Sequence, residues 1–370
     1  MAKNRIDVTN VIVDGDSIWM LTANTDILCE FESDTLKLNS YNIIPCCQQL
    51  PYAHYSIAKN GNRVYVLPFQ DNTMYVVETD SKRIVSKKIP FASEFENVYG
   101  KTIIAGCYEN KLLFIGHNVK GIYIYDEMKD EFVVSMSYLE DLEKNGISSK
   151  NDRPLFSDCF IQIQNQLFIP VYKSGFIFII DIVSEEHRIV KVGEGFLLKT
   201  IDLINGFEDR FILTTTDDRR LIWSATEGVI EDRKLNLLQG NEKYYLNAFY
   251  DNDKIIYIAA CERKVFVEDN NSIKEIPFDY PENDQFPIGN VQFNVAFKFN
   301  GFVYVQQRYN GQFMSIDTNT SEIKYVDIKM DKDQLYEMNR KAYSQKKGVL
   351  LKESDNELDL ENYINCVCLS

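Results

Sequence analysis

The sequence lacks the short motifs that mark most catalytic and metal centres. Its 370 residues include 3 His and 8 Cys, and no two cysteines form a CxxC pair. No GxSxG, P-loop, HExxH or glycine-rich dinucleotide fingerprint occurs. These absences argue against the common hydrolases, nucleotide-binding enzymes and zinc proteins. The sequence therefore predicts neither a metal nor a cofactor.

Proline and glycine are also scarce, with 9 and 17 residues, which argues against disorder and low-complexity sequence. No apolar run approaches the roughly 18–20 residues that a membrane-spanning helix needs. Residues 1–5 lead directly into a strand pattern without the apolar segment of a secretory signal. Cys29, Cys107 and Cys159 lie inside strand patterns as small apolar residues. Together these features predict a cytoplasmic protein.

Positive charge is in the minority. The formal net charge is −15, so a general role in binding nucleic acid or anionic membranes is not expected. The simplest interpretation of this acidic balance is solubility. Hydrophobic residues make up 45% of the chain, enough for a sizeable core.

What the sequence does contain is a repeat. A polar turn followed by a hydrophobic, β-branched or aromatic strand occurs seven times, at intervals of about 43 to 55 residues. Asn, Asp and Gly in these turns suit the positive φ of a two-residue hairpin. The copies begin near residues 14, 60, 109, 164, 208, 251 and 299.

Each copy lies in a longer unit of four strand patterns. In the second unit these are 55–58, 64–66, 73–77 and 83–86, and similar third strands occur at 122–126, 176–181 and 313–317. Four antiparallel strands repeated every 40 to 55 residues indicate an all-β, seven-bladed β-propeller with four-stranded antiparallel blades. Two points stay open. Residues 6–13 start the first blade or complete the last one, and six blades with an irregular seventh unit are an alternative.

The pattern over roughly residues 7 to 330 resembles the propeller superfamily of kelch, WD40 and bacterial surface-layer-type repeats. The resemblance is one of topology. The Trp-Asp pair of WD40 repeats and the double glycine of kelch repeats are absent, and a Gly-His pair occurs once, at Gly116-His117, rather than in each repeat. No functional residue is therefore carried over.

The sequence divides into a propeller over 1–330 and a small α-containing tail over 331–370. Residues 332–343 predict a helix, 348–353 a short strand and 356–364 an acidic helix. The tail packs over the propeller or serves as a docking or dimerisation segment. A long connection, 137–156, separates blades three and four and includes a helical turn near 139–144; such long loops are often binding loops.

Candidate ligand-binding residues lie where the loops between second and third strands meet the connections between blades. From the third blade to the seventh, each of these loops has a cation, and convergence of these cations would form an anion site. The alternative is that they are solvated residues paired with Asp217, Asp218 or Glu262. The predicted set comprises Lys173, Arg219, Arg220, Arg263 and Arg308, with Lys120 in blade three and with Tyr172, Tyr309, Gln307 and Asn72 as polar or stacking contacts.

Histidine and paired cysteine offer weaker candidates. His54 and His117 are predicted on the same side of the blades as these loops, which would permit acid–base chemistry there. Cys46 and Cys47 are adjacent, a spacing that zinc sites disfavour, and are interpreted as structural. The role of Cys366 and Cys368 stays open.

The sequence thus favours a cytoplasmic scaffold or binding module that presents a loop-rich face to a protein or peptide. The alternative is a lyase, hydrolase or isomerase acting on an anionic small molecule at the channel mouth. Fold alone does not separate the two, because propellers host both roles. Inward convergence of at least three of Lys173, Arg220, Arg263 and Arg308 is the feature that would favour the anion site.

Overall fold

The protein forms seven four-stranded sheets, and in each sheet four consecutive strands pair in an antiparallel up-and-down order. This confirms the predicted seven-bladed β-propeller and excludes the six-bladed alternative. The computed structural model describes residues 6–23, 25–45, 53–95, 98–116, 118–148, 155–207, 209–239, 243–270, 272–278, 291–308 and 311–347.

The first compact unit combines Met1–Thr102 with Asp327–Ser370. It contains the first two blades, and β1 pairs with β2, so the first strand starts blade one. The strands are β1 (Val8–Asp14), β2 (Ser17–Thr22), β3 (Ile27–Glu32) and β4 (Leu38–Ile43) in blade one, and β5 (His54–Asn60), β6 (Arg63–Pro68), β7 (Thr73–Glu78) and β8 (Ile84–Lys88) in blade two.

The second unit, Ile103–Val326, contains the other five blades. Their strands are β9 (Ile104–Tyr108), β10 (Lys111–Ile115), β11 (Ile122–Asp126), β12 (Glu131–Ser135), β13 (Ile161–Ile163), β14 (Gln166–Pro170), β15 (Phe176–Asp181), β16 (His187–Lys191), β17 (Leu198–Leu203), β18 (Arg210–Thr215), β19 (Arg219–Ser224), β20 (Gly228–Lys234), β21 (Tyr245–Asp251), β22 (Lys254–Ala259), β23 (Val265–Asp269), β24 (Ser272–Ile276), β25 (Phe293–Phe299), β26 (Phe302–Gln307), β27 (Phe313–Asp317) and β28 (Ile323–Val326).

The repeated turns and strands take the roles that their residue types predict. Asn60 pairs with Arg63 across a two-residue hairpin in which Gly61 has φ +52°, a conformation that glycine adopts without steric cost. The second and third strands of the blades are mostly buried, because their side chains pack against neighbouring blades. Between blades four and five, for example, Phe168, Phe211 and Trp223 belong to one core cluster.

A β-bulge recurs at the start of the first strand in five of the blades, in β1, β5, β17, β21 and β25. A bulge places two residues opposite one on the neighbouring strand and redirects a side chain. These strand starts lie beside the loops between second and third strands. One of the bulges contributes a residue to the candidate site.

The chain after blade seven packs on blade one. Lys329 accepts a backbone hydrogen bond from Leu38 and donates one to Leu36, so this segment adds to the start of β4. The predicted helix follows as α2 (Lys332–Lys347). Met338 is fully buried, with its sulfur 3.9 Å from the thiol of Cys29. The predicted elements at 348–353 and 356–364 lie outside the described residues.

The long connection between blades three and four contains the expected helical turn as α1 (Tyr138–Lys144). The buried Tyr138 hydroxyl accepts a hydrogen bond from the Gly121 backbone at 3.0 Å. Asp141 lies 3.1 Å from His187 Nε2, and hydrogen bonds from Lys144 and then His187 lower the pKa of its carboxyl. Neither described helix is long and apolar enough to cross a membrane.

Candidate functional site

The candidate site begins at a tight turn between β14 and β15. Val171 and Phe176 close this turn through a backbone hydrogen bond of 2.9 Å, and Lys173 lies at its tip with φ +50°. Gly175 permits the close return of the chain, because a Cβ there would lie 1.9 Å from the carbonyl oxygen of Gly193. The turn therefore presents Tyr172 and Lys173 at one end of blade four.

The bulge of β17 contributes the second part of the site. Lys199 is the extra residue between Leu198 and Thr200. Its carbonyl accepts a hydrogen bond of 2.6 Å from the Ser157 hydroxyl in the preceding blade. Beneath it, the hydroxyls of Thr200 and Thr214 are 2.6 Å apart and fully buried. Contacts on both sides thus fix the backbone that carries the Lys199 side chain.

The ammonium of Lys199 lies between a carboxylate and aromatic rings. Its Nζ is 2.6 Å from Asp158 Oδ1 and 5.5 Å from the centre of the Tyr244 ring, a cation–π distance. The side chain is only 14% exposed. Burial lowers the pKa of Lys199 and the nearby Asp158 carboxylate raises it, and the balance lies above the ordinary value. Lys199 is therefore a fixed positive charge at neutral pH.

We call Asp158, Tyr172, Lys173, Lys199 and Tyr244 the lysine–tyrosine cluster. Lys173 also forms a cation–π contact, since its Nζ lies 5.3 Å from the centre of the Tyr172 ring. Tyr172 in turn lies within electrostatic range of Lys199. Blades four, five and six all contribute. Chemically, the cluster offers ammonium donors for a carboxylate or carbonyl and half-buried aromatic rings for stacking.

A thiol with a raised pKa adjoins the cluster. Cys159 follows Asp158, its Sγ lies 3.7 Å from the Ile201 carbonyl oxygen, and burial raises its pKa to about 12. Because the thiolate is the reactive form, alkylation of native Cys159 by iodoacetamide at pH 8 should be about a thousandfold slower than that of an unperturbed thiol. Peptide mapping by mass spectrometry measures this rate. Equal labelling of the native and urea-unfolded protein would contradict it.

The neighbouring arginines Arg219 and Arg220 have their own acidic partners. Arg219 forms two hydrogen bonds of 2.8 Å to Asp232 and one of 3.2 Å to Asp217. Arg220 is 3% exposed and pairs with Glu231 and, at 3.2 Å, with Glu268. The guanidinium of Arg220 is thus held by carboxylates of the protein itself.

Three other predicted residues lie around a different group, at blades six and seven. Arg263 donates to the side chain of Gln292 at 3.1 Å, and the backbone of Arg308 donates to its carbonyl at 3.0 Å. Gln307 is fully buried and contacts the sulfur of Met314. Arg263 and Arg308 are thus linked through Gln292, whereas Lys173 lies over the Tyr172 ring and Arg220 contacts Glu268.

The first unit contains Asn72 and His54. The side chain of Asn72 accepts a hydrogen bond from the buried Lys101. His54 is fully buried, 3.4 Å from Asp26 and 3.3 Å from the Thr73 carbonyl oxygen. Its side chain thus does not reach the surface where acid–base chemistry was expected. His117 and Tyr309 lie outside the described residues.

Sequence reasoning missed Lys199, Tyr244 and Asp158. The predicted cations lie in the loops between second and third strands, whereas these three residues lie at the starts of first strands or just before them. A lysine near the beginning of a strand, preceded by Leu197 and Leu198, was the available signal. Nothing in the local sequence shows that Lys199 and Asp158, 41 residues apart, meet.

No known protein family and no curated protein matches the sequence. Solved structures do match, and they are β-propellers and WD40-repeat proteins. The Cps50 (Swd1) β-propeller domain of Myceliophteria thermophila has a TM-score of 0.58 at 10% identity, covering 84% of this chain and 96% of that one. The RRP9 WD40 repeats give 0.54 at 10% identity, covering 82% and 87%.

An enzyme of similar fold also matches. Virginiamycin B lyase from Staphylococcus aureus has a TM-score of 0.57 at 12% identity, covering 82% of this chain and 95% of that one. At these identities the likeness establishes the fold alone. The chain is thus a seven-bladed propeller that resembles WD40 and other propeller proteins, and its function has to be argued from its own residues.

Proposed function

We propose that the protein is a cytoplasmic binding module that holds a peptide segment of a partner protein at the lysine–tyrosine cluster. The carrying observation is Lys199, a cation held beside the Tyr244 ring and only 14% exposed. Within the cluster, the ammonium of Lys199 donates one hydrogen bond to a side chain, the carboxylate of Asp158. A lysine has three donors, so acceptors of a bound peptide have donors to meet.

The surroundings favour a peptide with acidic and aromatic side chains. Tyr172 and Tyr244 are half-buried, and tyrosine is enriched in protein interfaces because it gives large contact area at low entropic cost. Lys173 adds an exposed positive charge at the turn tip. The long connection between blades three and four ends beside this turn, since Tyr172 donates a backbone hydrogen bond to Leu155 at 2.9 Å.

The enzyme alternative has less support. Of its two acid–base candidates, His54 is buried beside Asp26, and His117 lies outside the described residues. The thiol of Cys159, which adjoins the cluster, has a raised pKa. Three of the cations meant to bind an anionic small molecule have side-chain partners within the protein: Arg219 contacts Asp217 and Asp232, Arg220 contacts Glu268, and Arg263 contacts Gln292. A peptide-binding role does not need these groups to converge.

Selection of random peptides displayed on phage tests the proposal. Peptides rich in Asp, Glu and aromatic residues should be enriched, and Lys199→Gln should weaken the best of them about tenfold, near 1.4 kcal/mol, because a desolvated charge is lost. Lys324→Gln is the matched control, since this lysine of β28 is 74% exposed and pairs with Glu322, just before the strand. Fluorescence polarisation measures both affinities.

A second variant guards against misfolding of the first. Lys173→Gln alters an exposed residue at the turn tip and should weaken the same peptide severalfold without changing the melting temperature. Enrichment of basic peptides, or equal affinity for wild type, Lys199→Gln and Lys173→Gln, would refute the proposal.

A further inference from the structure

A second surface, the outer edge of blade three, is distinct from the lysine–tyrosine cluster. The fourth strand of each blade is an edge strand, with backbone N–H and C=O groups that another strand can pair with. Natural proteins protect such edges with charged residues, especially lysine. Five fourth strands follow this rule, since β8, β16, β20, β24 and β28 each contain lysine or arginine.

The remaining two fourth strands, β4 and β12, contain neither lysine nor arginine. β4 is covered by the protein itself, because the backbone of Leu38 donates to Lys329 and α2 packs against the strand. For β12, no strand among the described residues pairs with its outer edge. Within the described ranges, the unprotected edge is thus paired with another segment in blade one and not in blade three.

The exposed side chains of β12 are apolar. Val133 is 48% exposed and Val134 41%, and they point to opposite faces of the sheet, since adjacent strand residues alternate. Met136, just after the strand, is 45% exposed. Phe132 is held by Tyr125 and Phe114, with ring centres 4.9 and 6.4 Å away. The strand is therefore fixed and apolar, and its outer edge has no partner strand in the described part of the chain.

The charge around this strand selects the partner. Residues 126–145 contain seven acidic residues and two lysines. Exposed Glu131 begins β12, and exposed Glu140 lies in the first turn of α1, five residues after its end. Lys129 and Lys144 pair with Asp126 and Asp141. A second copy of this acidic chain would bring carboxylates together, whereas a basic segment would complement them.

We propose that β12 is a docking edge for an extended segment of a partner protein, with alternating apolar side chains flanked by lysine or arginine. Backbone hydrogen bonds to the edge supply affinity, and alternate side chains contact Val133 or Val134. This surface does not depend on the lysine–tyrosine cluster, so either proposal can fail alone.

The test uses a fluorescein-labelled peptide of alternating valine and threonine with two lysines at each end. It should bind the full chain, and Val134→Lys, which gives β12 the protection of other fourth strands, should weaken binding at least tenfold. Ile230→Lys is the matched control, because Ile230 is 43% exposed on the edge strand β20, which is already charged. Its affinity should equal that of the wild type.

Two further peptides make the result decisive even if Val134→Lys fails to fold. Methylation of alternate backbone amides keeps side chains and charge but removes N–H donors, and should abolish binding. Glutamate in place of the terminal lysines should weaken it. If the methylated or the glutamate peptide bound as tightly as the original peptide, the proposal would be overturned. It would also be overturned if sedimentation showed a wild-type dimer that Val134→Lys converts to monomer, because the occupant of the edge would then be a second copy of this chain.

Discussion

Replacement of Glu268 by alanine is expected to destabilise the protein by about 3–5 kcal/mol, the usual effect of removing one member of a buried ion pair. Glu268 is 3% exposed and lies 3.2 Å from Arg220 and 2.6 Å from Arg233. It also accepts a hydrogen bond from the Tyr257 hydroxyl. The pKa of Tyr257 is well above its ordinary value, mainly because the side chain is buried and also because the charge of Glu268 is close. The substitution leaves these donors without their shared acceptor.

Chemical denaturation of Glu231→Ala provides the control. Glu231 also pairs with Arg220 but is 42% exposed, so water can replace its carboxylate and the loss should stay within about 1 kcal/mol. The double variant Arg220→Met with Glu268→Leu should be more stable than Glu268→Ala, because no buried charge is left unpaired. Equal loss for Glu231→Ala and Glu268→Ala would contradict the assignment of Glu268 as the centre of this network.

Met338→Ala should produce the second large effect, a loss of about 2–5 kcal/mol. Met338 is the fully buried contact of α2 with blade one, next to Cys29. Alanine would leave a cavity there, and the contact between the helix and the blade would weaken. Thermal unfolding and hydrogen exchange of the β3 and β4 amides measure both effects.

Two variants of the same helix separate cavity formation from loss of helix. Tyr336→Ala changes a side chain that is 37% exposed and should alter stability by less than about 0.5 kcal/mol. Met338→Leu keeps the volume and should cost less than about 1.5 kcal/mol. If Met338→Ala were as stable as Tyr336→Ala, the contact between Met338 and blade one would not contribute to the stability of the protein.

Most of the fold was readable because its signals are local. The hairpin at Asn60–Gly61 depends on residues that are neighbours in the chain, and the alternation of strand residues depends on a period of two. The same reasoning located the helix after residue 331 and the helical turn near 139–144. It left open whether residues 6–13 begin or close the propeller, because either strand position needs the same hydrophobic pattern.

The candidate site was only partly readable. Tyr172 and Lys173 were predicted from their place in a loop, and the structure brings them together. Arg220 has the same local signals as Arg219, yet it is buried against Glu268, 48 residues further on. Adjacent strand residues point to opposite faces of the sheet. Arg219 is therefore half-buried beside Asp232, and Arg220 contacts Glu268 of the next blade.

The sequence by itself indicated the repeated four-stranded unit, favoured seven blades and determined the excess of negative charge, since turn residues, hydrophobic period and composition are properties of the chain alone. Tertiary structure decided which cations are neutralised and which stay available. Lys199 is paired across blades with Asp158 and Tyr244. The strand β4 is covered by a segment almost three hundred residues later in the chain, whereas no strand that the structure describes pairs with the outer edge of β12. Such pairings depend on which blade faces overlap, and no local sequence pattern records that overlap.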